Sequence, residues 1–121
     1  MTELTCAVLT HCLDYEAIAA RRRDNFRLLA GALESFAVFA DVPAGVVPLG
    51  FPIRHAQRDR VRQALFAQQI YPPVHWDLGG RVPALFAESH RLSREIMTLP
   101  CDQRYDRGHM QRIAACVRSA A

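Results

Sequence analysis

Lysine is missing from this sequence of 121 residues, so all 15 of its permanently basic side chains are arginines. A lysine amine can attack a carbonyl group and form a Schiff base, whereas an arginine guanidinium stays protonated and cannot. The chain by itself therefore cannot perform chemistry that requires a lysine nucleophile. Such chemistry would need a lysine from outside this sequence.

The sequence also lacks the signals that mark several other classes of protein. Its apolar runs fall well short of the roughly 20 residues that span a bilayer, and no basic segment of a secretory signal precedes Glu3. It has neither a GxGxxG nor a GKS/T phosphate loop, and no aromatic RNA-binding motif. We therefore expect a cytoplasmic protein with no membrane span and no nucleic-acid partner.

Positive charge is concentrated at one point of the sequence. The net charge is +3, and the arginines are scattered except for Arg21, Arg22 and Arg23. A basic triplet of this kind is typical of a solvated helix face. A phosphate-binding patch is the alternative.

The four cysteines form no CxxC pair and stand at no zinc-binding spacing with a pair of histidines. We predict free thiols, packed as small apolar groups, and no metal site. Cys101, Asp102 and His109 leave a cysteine hydrolase as a further hypothesis. That chemistry would require a histidine within hydrogen-bond reach and a thiol of lowered pKa.

Length and composition predict a single domain over residues 1–121, in which the first 40 residues form a helical lead-in. Apolar side chains recur at helical spacing from Phe26 to Phe36. Asp14 is a candidate N-cap, and residues 3–12 form either a separate short helix or a bent continuation. The main helix should end before Pro43.

A small α/β core is predicted over residues 46–119, with strands and helices alternating along the chain. Over 46–54 every second residue is apolar, which predicts a strand that buries one face. The proline-rich segment 70–76 predicts an extended strand. The other expected elements are a strand at 96–99 and helices at 55–69, at about 84–94 and after an Asp106 N-cap.

Two places carry side chains suited to binding a ligand. Arg54 and His55 end the first predicted strand, where α/β sheets often bind ligands, and an arginine there can hold a carboxylate or phosphate through two hydrogen bonds. A structural ion pair, for example with Asp59, is the alternative. His75 follows two prolines, whose rigidity would present it to a ligand, although a strand-end histidine without function fits equally well.

From about Leu49 onward the sequence resembles a known family. The segments FPIRHAQRDRVRQAL, IYPPVHW, ESHRLSREIMTLPCDQRY and HMQRIAACV together look like the C-terminal domain of DegT/StrS-type aminotransferases. These are fold type I enzymes that use pyridoxal phosphate and often make amino sugars. AARRRDNFRLLAGAL looks like the helix that leads into this domain, so the resemblance covers about residues 14–119.

The resemblance implies an α+β fold with a small, mostly antiparallel sheet of about three strands flanked by helices. In the family this domain packs on a large domain that binds pyridoxal phosphate, and the active site lies between the domains and at a dimer interface. The resemblance places the YPPVHW segment near the active-site mouth. The substrate-side candidates are then Tyr71, His75 and Trp76, with Arg54 and His55 from the strand end.

The family's large domain has no counterpart in this sequence, and with it the Schiff-base lysine and most of the phosphate site are missing. We therefore expect no catalytic residue and no cofactor for this chain alone, and pyridoxal phosphate in the complete enzyme. The first hypothesis is a C-terminal domain or truncated form of an aminotransferase acting on a keto-sugar or a related carbonyl compound. The second is a free-standing interaction module that forms homo-oligomers or complements a separate subunit that binds pyridoxal phosphate.

Overall fold

Five α-helices and two β-strands make up the part of the chain that the computed structural model describes, residues 2–120. Helices α1 and α2 come first and are followed by strand β1 and helix α3. A 3-10 turn at Gly79–Arg81 precedes helix α4, strand β2 and helix α5. The bounds are α1 Glu3–His11, α2 Tyr15–Ala32, β1 Phe51–Arg54, α3 Arg58–Ala67, α4 Ala87–Glu95, β2 Ile96–Leu99 and α5 Arg107–Ala120.

Strands β1 and β2 pair antiparallel, with Phe51 opposite Leu99 and Arg54 opposite Ile96. Side chains alternate across such a ladder, so Phe51, Leu99 and their second neighbours are buried while the others are half-buried. An isolated bridge between Ala37 and Ile53 covers the outer edge of β1. The predicted α+β fold with a small antiparallel sheet is thus confirmed, with two strands in the described residues.

The strand predicted over 46–54 starts later than expected, because residues 46–49 form a loop. Val47 and Leu49 are exposed, although the alternating pattern predicted that they would be buried. Arg22 donates to the carbonyl of Pro48 (2.9 Å), and Arg23 donates to that of Val46 (2.9 Å). Two members of the arginine triplet therefore hold this loop against α2.

The segment 70–76, predicted as an extended strand, has no regular secondary structure and forms no ladder. Its backbone contact with β2 is a hydrogen bond from the Thr98 N–H to the Pro73 carbonyl (3.1 Å). Pro72 and Pro73 have no N–H to donate, so this stretch cannot continue the pairing that a strand needs. It lies beside the sheet as an irregular edge.

Helices α1 and α2 are separate, and each begins at a polar cap. Thr2 accepts a hydrogen bond from the Thr5 N–H, and Asp14 accepts one from the Ala17 N–H (2.9 Å), which confirms Asp14 as an N-cap. Helix α2 ends at Ala32, about ten residues earlier than the sequence allowed. The chain leaves the helix there because the residues around Ala37 pair with β1.

The core lies between the sheet and helices α2, α3 and α5. Phe26 of α2 packs edge to face on Phe51 of β1, with ring centroids 4.8 Å apart. The predicted stripe of α5, from Met110 to Val117, is buried, and Asp106 caps this helix by accepting from the His109 N–H (3.1 Å). Within residues 2–120 no helix is long and apolar enough to cross a membrane.

Asn25 is a buried polar residue in this core, only 1% exposed. Its carboxamide nitrogen donates to the carbonyl oxygens of Cys101 (3.3 Å), Asp102 (3.0 Å) and Tyr105 (3.0 Å). The turn between β2 and α5 therefore has its carbonyls satisfied by a side chain of α2. This contact fixes the place of the turn on the helical layer.

Asn25→Asp should lower the free energy of unfolding by about 3 kcal/mol at neutral pH. The change preserves shape but replaces a donor with a carboxylate that faces carbonyl oxygens. Part of the loss should be recovered near pH 4, where the carboxyl gains a proton and can donate. Urea unfolding at the two pH values measures both effects.

Asp24→Asn is the matched control, since it makes the reverse exchange at an exposed neighbour on the same helix. It should change stability by less than about 0.5 kcal/mol. Equal losses in the two variants would show that Asn25 does not hold the turn.

Candidate functional site

A groove of about 530 Å³ opens at the end of the sheet where β2 finishes. One wall is the segment 70–76, which carries Tyr71 and His75, and the other is the turn that leads into α5. The floor is apolar, with Leu99 and Ile113 among its side chains. The volume lies in the range of sites that take small molecules.

The wall that carries Tyr71 is held in place from both sides by arginines. Arg62 of α3 donates to the Pro72 carbonyl (3.2 Å), and Arg112 of α5 donates to the Gln68 carbonyl (2.5 Å). The hydrogen bond from Thr98 to Pro73 adds a third attachment. The segment is therefore fixed although it forms no ladder.

Gln69 starts this wall in a left-handed conformation, with φ at +59°. The Ile70 N–H bonds the Leu65 carbonyl (2.9 Å), and the Gln69 N–H bonds that of Phe66 (2.9 Å), so the end of α3 is closed by a left-handed residue. Glycine is the usual residue at such a position because it has no side-chain clash. This turn sends the chain from α3 into the groove wall.

The opposite wall contains a tight ion pair. Arg104 donates to both carboxylate oxygens of Asp102, at 2.8 and 2.9 Å, and these hydrogen bonds hold the pKa of Asp102 below its ordinary value. The Arg104 guanidinium also lies 5.5 Å from the centre of the Tyr105 ring. The backbone of this wall is the turn that Asn25 holds.

His109 also lines the groove, where α5 begins. Its Nδ1 lies 2.7 Å from the Asp106 carboxylate. The backbone N–H of His109, and then its ring, lower the pKa of Asp106 by hydrogen bonding. This pair closes the first turn of α5.

The structure brings together two of the five residues that the sequence singled out. Tyr71 and His75 both line the groove, and Tyr71 is 67% exposed. Trp76 is not among the lining residues. It is 69% exposed, with its ring centroid 6.5 Å from that of His75.

Arg54 and His55 lie at the other end of the sheet. Arg54 forms an ion pair with Glu95 at 2.5 Å, whereas Asp59, the partner considered from the sequence, pairs with Arg58 (2.9 Å). The ring of His55 lies 5.1 Å from that of Phe36. These two residues therefore share no surface with the groove.

The geometry argues against cysteine hydrolase chemistry. Cys101 has no exposed surface, and burial raises the pKa of its thiol to about 11. A nucleophilic cysteine needs the opposite shift. His109, the proposed base, forms no hydrogen bond with Cys101 within residues 2–120.

Sequence reasoning missed Arg112, Arg104 and Tyr105 as groove residues. Arg104 and Tyr105 follow the predicted third strand by five and six residues, and Arg112 by 13, but the wall that they face lies about 30 to 40 residues earlier in sequence. The sequence does place Arg112 next to the buried stripe of α5. That position alone does not show which segment of the chain packs against this part of α5.

The described residues offer no metal site, since no three His, Cys, Asp or Glu side chains among them come together. Pyridoxal phosphate, which the resemblance implies for a complete enzyme, does not fit this chain's residues as a covalently held group. The fold type I site holds it on a lysine, and the sequence has none. The groove therefore can contact a ligand but cannot supply that attachment.

Comparison with known proteins gives a match at the level of structure. No protein-family profile and no curated protein matches the sequence. Among solved structures, the fold is similar to that of a DegT DnrJ EryC1 StrS aminotransferase from Brucella abortus, with a TM-score of 0.71 and 18% sequence identity. The match covers 96% of this chain and 33% of that chain, so this chain spans a third of the length of the protein that it matches. At this identity the likeness shows the fold.

Gln69→Gly should raise the free energy of unfolding by about 0.5 kcal/mol, because it removes the cost of a left-handed non-glycine residue at the end of α3. Gln68→Gly is the matched control, since Gln68 has φ of −98°. It should destabilise the protein by a similar amount. Thermal unfolding of the two variants measures the difference, and a loss in both would contradict the strain assigned to Gln69.

Cys101 should react with a thiol reagent only when the protein unfolds, whereas the exposed Cys6 and Cys12 react in the native state. The test uses a variant that keeps Cys101 as its single cysteine, with a Cys6-only variant as the control. Because the folded-state pKa of Cys101, about 11, lies above its ordinary value of 9.0, stability should fall as the pH rises through this range. Equal native reaction rates in the two variants would contradict the burial of the thiol.

Proposed function

We propose that this chain is the C-terminal domain, or a truncated form, of a pyridoxal-phosphate-dependent aminotransferase of the DegT/StrS type. It acts in a complex or a longer protein that provides the lysine. Its role there is to cover one side of the active site and to contact the substrate, a keto-sugar or a related carbonyl compound. The chain alone does not transaminate.

The observation that carries this proposal is the extent of the fold match. Nearly the whole chain, 96%, superposes on a part that makes up 33% of an aminotransferase chain. The sequence segments that resemble the DegT/StrS C-terminal domain span the same region. Fold and sequence pattern therefore support the same assignment from different evidence.

Helix α1 supports a docked state for the domain. None of its residues is buried, and Leu4 (75% exposed), Val8 and Leu9 present apolar side chains to solvent. A nine-residue helix gains little stability from its own hydrogen bonds. Exposed apolar surface of this kind marks an interaction site. We assign α1 to the contact with the domain that binds pyridoxal phosphate.

Within this proposal the groove wall makes the contact with the substrate. Tyr71 and His75 present a phenol and an imidazole, which can accept and donate hydrogen bonds to the hydroxyl groups of a sugar. Trp76 extends the same surface with an exposed indole. The bound cofactor supplies the electron-accepting chemistry of transamination.

Arg54 and His55 take a supporting role in the proposal. Glu95 accepts from Arg54 and also from Arg91 (3.1 Å), and the hydrogen bond from Arg54 is the largest cause that lowers the pKa of this carboxyl group. The ion pair joins the end of β1 to the last turn of α4. We therefore propose that these residues stabilise the contact between the sheet and α4 and do not bind the substrate.

The native mass of the protein in its source cells tests the proposal. We expect a species several times heavier than the 13.6 kDa of this chain, containing lysine and the absorption of bound pyridoxal phosphate. A native species of one or two copies of this chain, without the cofactor, would contradict it. That result would favour the free-standing module, with a second copy covering α1.

Substitutions in α1 locate the contact. Where the lysine comes from a separate subunit, Leu4→Glu combined with Val8→Glu should abolish the heavy species, because it places charge on the apolar side of the helix. Thr10→Glu, also in α1 and exposed, is the control and should leave the complex intact. Size-exclusion chromatography with light scattering measures both. An unchanged complex in the double variant would remove α1 from the interface.

A further inference from the structure

The charges around the groove do not cancel. Arg104 is neutralised by Asp102, and His109 is bound to Asp106. Arg112 lines the same groove and has no carboxylate within 4.0 Å among residues 2–120. Its recorded hydrogen bond is to the neutral Gln68 carbonyl. Arg112 is therefore a permanent positive charge in the groove that forms no ion pair within residues 2–120.

The two walls of the groove also carry aromatic rings. Tyr71 lies on one wall with its ring 5.4 Å from that of Phe66, and it remains largely exposed. Tyr105 lies on the other wall, between Arg104 and His109. The floor between them is apolar. A flat ring can pack against tyrosine faces and an apolar floor without leaving buried polar groups unpaired.

We propose that this groove binds a small organic anion whose body is a flat ring and whose phosphate or carboxylate group is held by Arg112. A guanidinium suits both anions because it offers several N–H donors in a plane. Gln68 uses only part of this donor set, so the remaining N–H groups are free to bind an oxyanion. The inference rests on the proposed function only in using the same wall, since the groove is formed entirely by this chain.

The size of the groove sets a limit on the ligand. A volume of about 530 Å³ accommodates a ring with one charged substituent and a few further atoms. Apolar and aromatic contact provides most of the buried surface, while Arg112 selects for charge. A neutral ring and a free anion each satisfy only one of these two features, so each should bind more weakly than a molecule that has both.

Phenyl phosphate is the probe for this test, with benzyl alcohol as the neutral ring and inorganic phosphate as the free anion. Trp76 is the single tryptophan of the sequence and stands beside His75, so its fluorescence reports on this wall. Titration calorimetry gives the dissociation constants independently. We expect phenyl phosphate to bind about tenfold more tightly than either single-feature probe.

Arg112→Gln should weaken the binding of phenyl phosphate about tenfold and leave that of benzyl alcohol unchanged. Arg112→Lys keeps the charge and should stay within about threefold of the wild type. Arg118→Gln is the matched control: Arg118 lies on the same helix and also donates to a backbone carbonyl, that of Ala32 (3.4 Å), but it does not line the groove. It should not change binding.

Equal affinity of the wild type and Arg112→Gln for phenyl phosphate would overturn the inference, and so would the absence of any difference between the three probes. Thermal unfolding of each variant shows whether the fold is intact, and the comparison of the three probes on the wild type keeps the test decisive if Arg112→Gln unfolds. Weak probe binding together with a heavy native complex would reject this inference alone. Selective probe binding together with a native mass equal to that of the chain would reject the proposed function alone.

Discussion

The carboxamide of Asn25 is the contact on which both the fold and the groove depend. It joins α2, the longest helix of the described chain, to the turn between β2 and α5 by donating to three carbonyl groups of that turn. Through this turn it fixes the start of α5, and through β2 it fixes the sheet. The same turn carries Asp102 and Tyr105 and forms one wall of the groove. The contacts of Asn25 therefore support both the core and the candidate site.

Arginine side chains hold several loops of this protein in place by donating hydrogen bonds to backbone carbonyls. They donate to the carbonyls of loops that have no regular partner, as Arg22, Arg23, Arg62 and Arg112 show. A guanidinium is planar and offers donors in several directions, so one side chain can hold a loop and still retain free N–H groups. A lysine ammonium is more strongly hydrated and lacks this geometry. The arginine-only composition thus contributes to loop order as well as to charge.

The sequence predicted correctly those helices and strands whose own apolar spacing and end residues are enough to identify them. The stripe from Met110 to Val117 and the strand Ile96–Leu99 were read correctly because their apolar spacing and their flanking cap or proline agree. The loop at 46–49 was not, because its alternating pattern resembles a strand while arginines about 25 residues away hold it outside the sheet. Local pattern carries no information about such distant donors.

The candidate site was predicted in part for the same reason. His75 stands out by the rigid prolines before it, whereas Tyr71 became a candidate through the family resemblance, and the structure places both on the groove. Arg112 does not stand out, since nothing within α5 shows that the end of α3 lies opposite. Arg54 drew attention as a strand-end cation, but its partner Glu95 comes from a helix about 40 residues later. Binding surfaces assembled from distant segments need the fold before their members can be recognised.

Helix α1 has a consequence for how the amount of this protein is controlled in a cell. A helix of nine residues with no buried side chain opens easily, and opening makes its backbone, with the already exposed Leu4 and Val8, accessible to chaperones and proteases. Docking would remove that exposure, so copies in a complex would outlive copies that fail to assemble. The abundance of the chain would then follow that of its partner through selective degradation, without any regulation of its synthesis.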